Sequence, residues 1–72
     1  MDFNDYLSEQ IYRGRKRAGY TQAHLSQKLG VSVRWYQRIE KGERLPGAVV
    51  LIKLMLLLDI DIEVFRDYFM HK

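Results

Sequence analysis

Residues 21–42, TQAHLSQKLGVSVRWYQRIEKG, leave this chain few ways to fold. Thr21 is an N-cap residue, because its hydroxyl can accept from the free N–H groups of a first helical turn. Leu25 and Leu29 follow four apart and so share one helix face. Gly30 ends that helix, since glycine enters the left-handed C′ conformation without a Cβ clash. Val31 is an apolar plug, Ser32 a second N-cap and Gly42 a second stop. The spacing predicts helices over about residues 22–29 and 33–41, joined by a tight turn. On the second helix Tyr36 and Ile39 face one way, while Arg34, Gln37, Arg38 and Lys41 face the other. A helix pair whose second member has an apolar back and a cationic, amide-bearing front is suited to a DNA major groove.

These residues resemble the helix-turn-helix of the phage repressor and Cro type, the XRE family. The likeness rests on TQAHLSQKLGVS, on RIEKG at residues 38–42, on Arg15 six residues before Thr21, and on Pro46. It spans roughly residues 11–65. The resemblance implies a compact, all-α, five-helix domain that binds double-stranded DNA and regulates transcription from a bacterial, phage or plasmid genome. It implies base contacts from Val33, Arg34, Gln37 and Arg38, and a backbone contact from Gln22. It also implies a largely buried ion pair between Arg15 and Glu40, tying the first helix to the third. Three positions depart from the family pattern. Gly14 stands where leucine is common, Ser26 where alanine is usual, and Asp59 where glycine often follows the fourth helix.

The residue chemistry agrees with these roles. Arginine matches the paired acceptors of guanine, and glutamine the acceptor–donor pair of adenine. Val33 sits on the edge of the arc, positioned for a thymine methyl. Gln22 opens a helix whose free N–H groups and positive dipole end suit a phosphate, and Ser32 heads the next. Lys41 and Arg44 flank the end of the third helix and are expected on phosphates. Arg13, Lys16 and Arg17 of the first helix have two open readings, backbone contact or plain solvation. Trp35 likewise reads either as a wedge beside the DNA backbone or as packing on the core margin.

Around the motif, a first helix is expected from residue 4 or 5 to 18, with Leu7, Ile11 and Ala18 inward. A fourth starts near Pro46 and runs to about 58. Asp61 caps a fifth over residues 62–70. The fourth is unusual. Its expected core face holds Ala48, Leu51, Leu54, Met55 and Leu58, yet the opposite face holds Val49, Val50, Ile52, Leu56 and Leu57, with Lys53 its one charge. A helix apolar all round must be buried all round or meet a partner. One reading is a homodimer surface over about residues 46–70, with Val49, Ile52, Leu56, Phe65 and Phe69 at the interface. The other is closure within one chain by residues 68–72. Because 72 residues cannot wrap this helix completely, self-association is the expectation, and a protein-interaction module resembling an antitoxin is the alternative.

Seventy-two residues allow a single domain, and 47% hydrophobic content allows it a core. The net charge of +3 is unevenly spread. Residues 1–45 carry nine Lys/Arg against five Asp/Glu, and residues 46–72 three against four. The positive charge travels with the helix pair, either as a phosphate footprint or as a solvated surface. The chain has no cysteine, and so neither a disulfide nor a thiolate metal site. Its acidic first residues, MDFNDYLSE, do not read as a secretory leader, and AVVLIKLMLLL is too short and too interrupted for a bilayer. A cytoplasmic location is the expectation. His24 and His71 lie on separate segments, with no nucleophile or metal cluster and no glycine-rich phosphate loop in the sequence. Catalysis, metal and cofactor are therefore not expected.

Overall fold

The computed structural model describes residues 1–70, so His71 and the expectation attached to it lie outside the described residues. Helix α1 (Phe3–Ala18) starts earlier than expected because Asp2 caps it, its side chain accepting from the Asp5 N–H at 2.9 Å. Helices α2 (Gln22–Leu29) and α3 (Val33–Glu40) follow the sequence reading, with Lys41 as C-cap rather than last helical residue. Thr21 Oγ1 accepts from the His24 N–H at 3.0 Å, and Ser32 Oγ from the Trp35 N–H at 3.1 Å. Between the two helices Gly30 takes φ +76°, and the Val31 N–H reaches back to the Ser26 carbonyl at 3.0 Å. That bond closes the turn and fixes the entry of α3.

Helix α4 (Ala48–Leu57) begins after Pro46 and Gly47. Its end explains one departure from the family pattern. Asp59 adopts φ +55° so that the Ile60 N–H can bond the Met55 carbonyl at 2.9 Å. A short polar side chain tolerates this conformation, which glycine enters without a clash. Arg17 adds a bond from α1, its Nη2 donating to the Leu58 carbonyl at 3.3 Å. Asp61 then caps as expected, accepting from the Glu63 N–H. The segment it starts is not one α-helix. Ile62–Phe65 forms a 3₁₀ turn, with the Val64 N–H on the Asp61 carbonyl at 3.0 Å, and runs into α5 (Arg66–Met70).

The core gathers Leu7 and Ile11 from α1, Leu25 and Leu29 from α2, Tyr36 and Ile39 from α3, and Leu54 with Leu58 from the α4 segment. Ile60 and Phe65, from the segment after α4, complete it. The buried stripe of α1 ends at Gly14 and Arg15, a turn before Ala18, which is exposed. Gly14 is buried for a packing reason. A Cβ there would lie 3.1 Å from Leu58 Cβ and 3.3 Å from Ile60 Cδ1, so the absent side chain lets α1 approach the end of α4.

Helix α4 is less uniformly exposed than its sequence suggests. Val50, Leu51, Met55 and Leu57 are half-buried against the core, while Ala48 faces solvent. The outward apolar stripe is narrower: Val49 is 67% exposed, Ile52 57% and Leu56 77%. Phe69 of α5 is exposed as well. Phe65 corrects the expectation that it faces a partner. It is 6% exposed, its ring 6.0 Å from that of Phe3 and 6.3 Å from that of Tyr6. The 3₁₀ turn directs it into the chain's own core, where Tyr6 also donates to the Val64 carbonyl at 2.6 Å.

Candidate nucleic-acid interface

Helix α3 is held from behind by its apolar side and by one buried ion pair. Tyr36 and Ile39 are sealed in the core. Arg15 reaches across from α1 to Glu40 at the end of α3, with Nε donating to Oε2 at 2.5 Å and Nη2 to Oε1 at 3.1 Å. The third donor of the guanidinium, Nη1, meets the Tyr20 carbonyl at 3.0 Å, at the entrance to α2. The side chains of Arg15 and Glu40 are 10% and 6% exposed. Glu40 also accepts from the Tyr36 hydroxyl and, at 3.0 Å, from Gln22 Nε2. A desolvated pair is costly unless its polar atoms find further partners, and here no buried side-chain nitrogen or oxygen among the described residues is left without one.

The titrations follow from that geometry. Burial works to raise the Glu40 carboxyl, but hydrogen bonds from Arg15, Tyr36 and Gln22 outweigh it and hold the pKa below the usual carboxylate value. The bond to Glu40 raises the Arg15 guanidinium. Burial, reinforced by the neighbouring carboxylate, pushes the Tyr36 hydroxyl far above its ordinary value.

The front of α3 is the contrast. Val33, Arg34, Arg38 and Lys41 are exposed, and Gln37 is half-buried among them. Arg34, Gln37, Arg38 and Lys41 line one polar hollow, whose remaining wall is Glu43. None of the three cations forms a salt bridge among the described residues. Sequence reasoning left out Glu43, an acid in a cationic hollow. Its backbone N–H, bonded to the Arg38 carbonyl at 3.0 Å just past Gly42, marks why it ends up beside α3. Ser32 is exposed at the head of α3, its hydroxyl engaged as the cap. Arg44 lies beyond the other end, its guanidinium 5.6 Å from the centre of the Trp35 ring. Trp35 packs half-buried on the core margin, which is one of its two sequence readings.

The Gln22 side chain is turned inward. Its Nε2 serves Glu40 and its Oε1 accepts from Gln37 Nε2 at 3.1 Å, so the amide expected on a phosphate is engaged within the protein. Of the first-helix cations, Arg13 pairs with Glu9 at 3.0 Å, and Lys16 lies 6.0 Å from the Tyr12 ring. Arg17 serves α4. Among the described residues, no group of three or more His, Cys, Asp or Glu is placed to hold a metal, and no helix is long and apolar enough to cross a membrane.

A two-helix unit of this shape, with its second helix anchored behind and cationic in front, defines a nucleic-acid-binding module. Comparison with known proteins gives the family. The family model described as Helix-turn-helix matches residues 11–65, and the chain belongs to that family, in its phage-repressor, XRE-type form. It is a family of DNA-binding regulators, not of enzymes. The cryptic phage CTXphi transcriptional repressor RstR of Vibrio cholerae serotype O1 (strain ATCC 39315 / El Tor Inaba N16961) is 33% identical over 57 residues. The alignment covers 79% of this chain and 51% of that repressor, so the chain spans about half the length of the curated relative it matches. No solved structure matches the chain.

Proposed function

We propose that this chain is a sequence-specific repressor or autoregulator of transcription that binds a near-palindromic operator as a homodimer in the cytoplasm. The observation that carries the reading is the unpaired, exposed arc of Arg34, Arg38 and Lys41 with Gln37 on the front of α3. Arg34 and Arg38 read guanines, Gln37 an adenine, and Val33 a thymine methyl. Lys41 and Arg44, with Ser32 at the head of α3, contact phosphates and set the register. The repressor role is supported by the name of the Vibrio relative, about half of which the alignment covers.

The homodimer is supported by the stripe of Val49, Ile52 and Leu56, continued by Phe69, which one chain leaves in water. An operator with half-sites about 10 bp apart calls for a symmetric dimer that holds its two α3 copies about 34 Å apart. The same stripe supports the second reading, in which an antitoxin-like chain offers it to another protein. Site selection from a random duplex pool at about 0.15 M salt tests the function. Enrichment of a two-fold symmetric motif with half-site centres about 10 bp apart is the expected result. Weak, steeply salt-dependent retention without enrichment would overturn it.

A further inference from the structure

Glu40, Gln22 and Gln37 form a continuous hydrogen-bonded chain from the buried ion pair to the front of α3. Gln22 Nε2 donates to Glu40 Oε1 at 3.0 Å, and Gln37 Nε2 donates to Gln22 Oε1 at 3.1 Å. The direction of this chain is fixed at its inner end. An ionised carboxylate can only accept, and the Arg15 guanidinium 2.5 Å away keeps Glu40 ionised. Gln22 must therefore turn its NH₂ inward and its carbonyl outward. Gln37 must in turn give one N–H to that carbonyl. It retains one N–H and its whole carbonyl oxygen, neither bonded within the protein among the described residues, in the hollow it shares with Arg34 and Arg38. A glutamine presents this donor–acceptor pair to N7 and N6 of adenine.

We infer that Gln22 is a positioning residue for base readout: anchored on Glu40, it fixes the Gln37 amide in the orientation that fits adenine. The inference rests on the DNA-reading function proposed for α3, and it gives the Gln22 side chain a different duty from the phosphate contact expected of it. The gain is pre-organisation. An exposed glutamine samples many rotamers and both amide orientations, and binding must freeze one of them. Here the protein has selected the orientation beforehand, through a bond whose polarity is set by a buried charge. The ion pair behind α3 thus reaches one base pair without touching DNA.

Gln22→Met tests this, because it keeps length and helix propensity while removing the amide. The selected duplex and its single-base-pair variants are titrated with wild type, Gln22→Met and Gln37→Ala, with each protein's fold checked by circular dichroism. Gln37→Ala identifies the base pair read by that residue. Gln22→Met is expected to lower the preference at that same pair about tenfold, the scale of a bidentate contact, and to leave other positions and the salt slope unchanged. Uniform weakening across all sequences, with the salt slope reduced by about one, would mark a phosphate contact and overturn the inference. A second measurement needs neither variant nor DNA. In the free wild-type chain, the Gln37 side-chain amide should show nuclear Overhauser effects to Gln22 and restricted motion, and a freely rotating amide would overturn the inference even if Gln22→Met failed to fold. The two levels separate cleanly. If no duplex is enriched, the DNA-reading function falls and the inference with it; if one is enriched but its base preferences ignore Gln22→Met, only the inference falls.

Discussion

Removing Arg15 strands the Glu40 carboxylate in a site where its side chain is 6% exposed. Breaking one partner of such a buried pair costs roughly 3–5 kcal/mol. Arg15→Ala should therefore shift the urea midpoint sharply downward. It will resemble a DNA-binding defect, although Arg15 lies behind α3, and the folded fraction at the assay temperature tells the two apart. The same site sets two pH limits. Glu40 titrates below its unfolded value, so its contribution is present above about pH 4.3 and is lost as pH falls through the folded pKa. Tyr36 titrates above its unfolded value, so its contribution is complete below about pH 10 and is lost as pH rises beyond that. Urea denaturation across pH should show a plateau with declines on both sides. Glu40→Gln should remove the Glu40 share of the acid-side decline, and an unchanged acid limb would contradict the assignment.

At the scale of elements, caps and close approaches decide where α3 points. Ser32→Ala leaves the Trp35 N–H unpaired and should cost about 1 kcal/mol in chemical denaturation. Gly14→Leu would restore the residue common in the family, at the cost of a collision with Leu58 and Ile60. Helix propensity gains about 1 kcal/mol over glycine. Overpacking costs about 1–3 kcal/mol, so a lower melting temperature is expected. These two sites also show what the sequence could disclose. Thr21, Gly30, Ser32 and Gly42 delimit α2 and α3 because caps and stops act locally, through bonds spanning three to five residues. The buried position of Phe65 was not legible, since it depends on the 3₁₀ turn after Asp61 and on rings from α1 that are far away in sequence. Nor was the value of Gly14, which lies in the distance between α1 and Leu58 rather than in α1 itself. In the candidate site, the charge arc was visible in the spacing along α3. The inward turn of Gln22 and the placement of Glu43 beside Arg38 required three-dimensional neighbours.

At the scale of the whole molecule, the question is what the two exposed surfaces do together. In the proposed function the α4 stripe serves assembly and the α3 arc recognition, and joining two modules would raise avidity without new contact types. Ile52→Lys combined with Leu56→Lys changes two side chains that one chain leaves 57% and 77% exposed, so the fold should survive. Sedimentation equilibrium should find wild type at twice 8.6 kDa and the double variant at 8.6 kDa, with operator affinity reduced in parallel. A monomeric wild type would redirect the stripe to a different protein partner. The central claim is that the front of α3 reads base sequence. Its most direct test compares wild type with the Arg34→Ala, Arg38→Ala double variant on the selected operator and on a shuffled duplex at about 0.15 M salt. Two lost arginine–guanine contacts, at about 1–3 kcal/mol each, should collapse the preference for the operator by roughly thirtyfold or more while weak binding to either duplex persists. A correctly folded double variant that still prefers the operator as wild type does would contradict the claim.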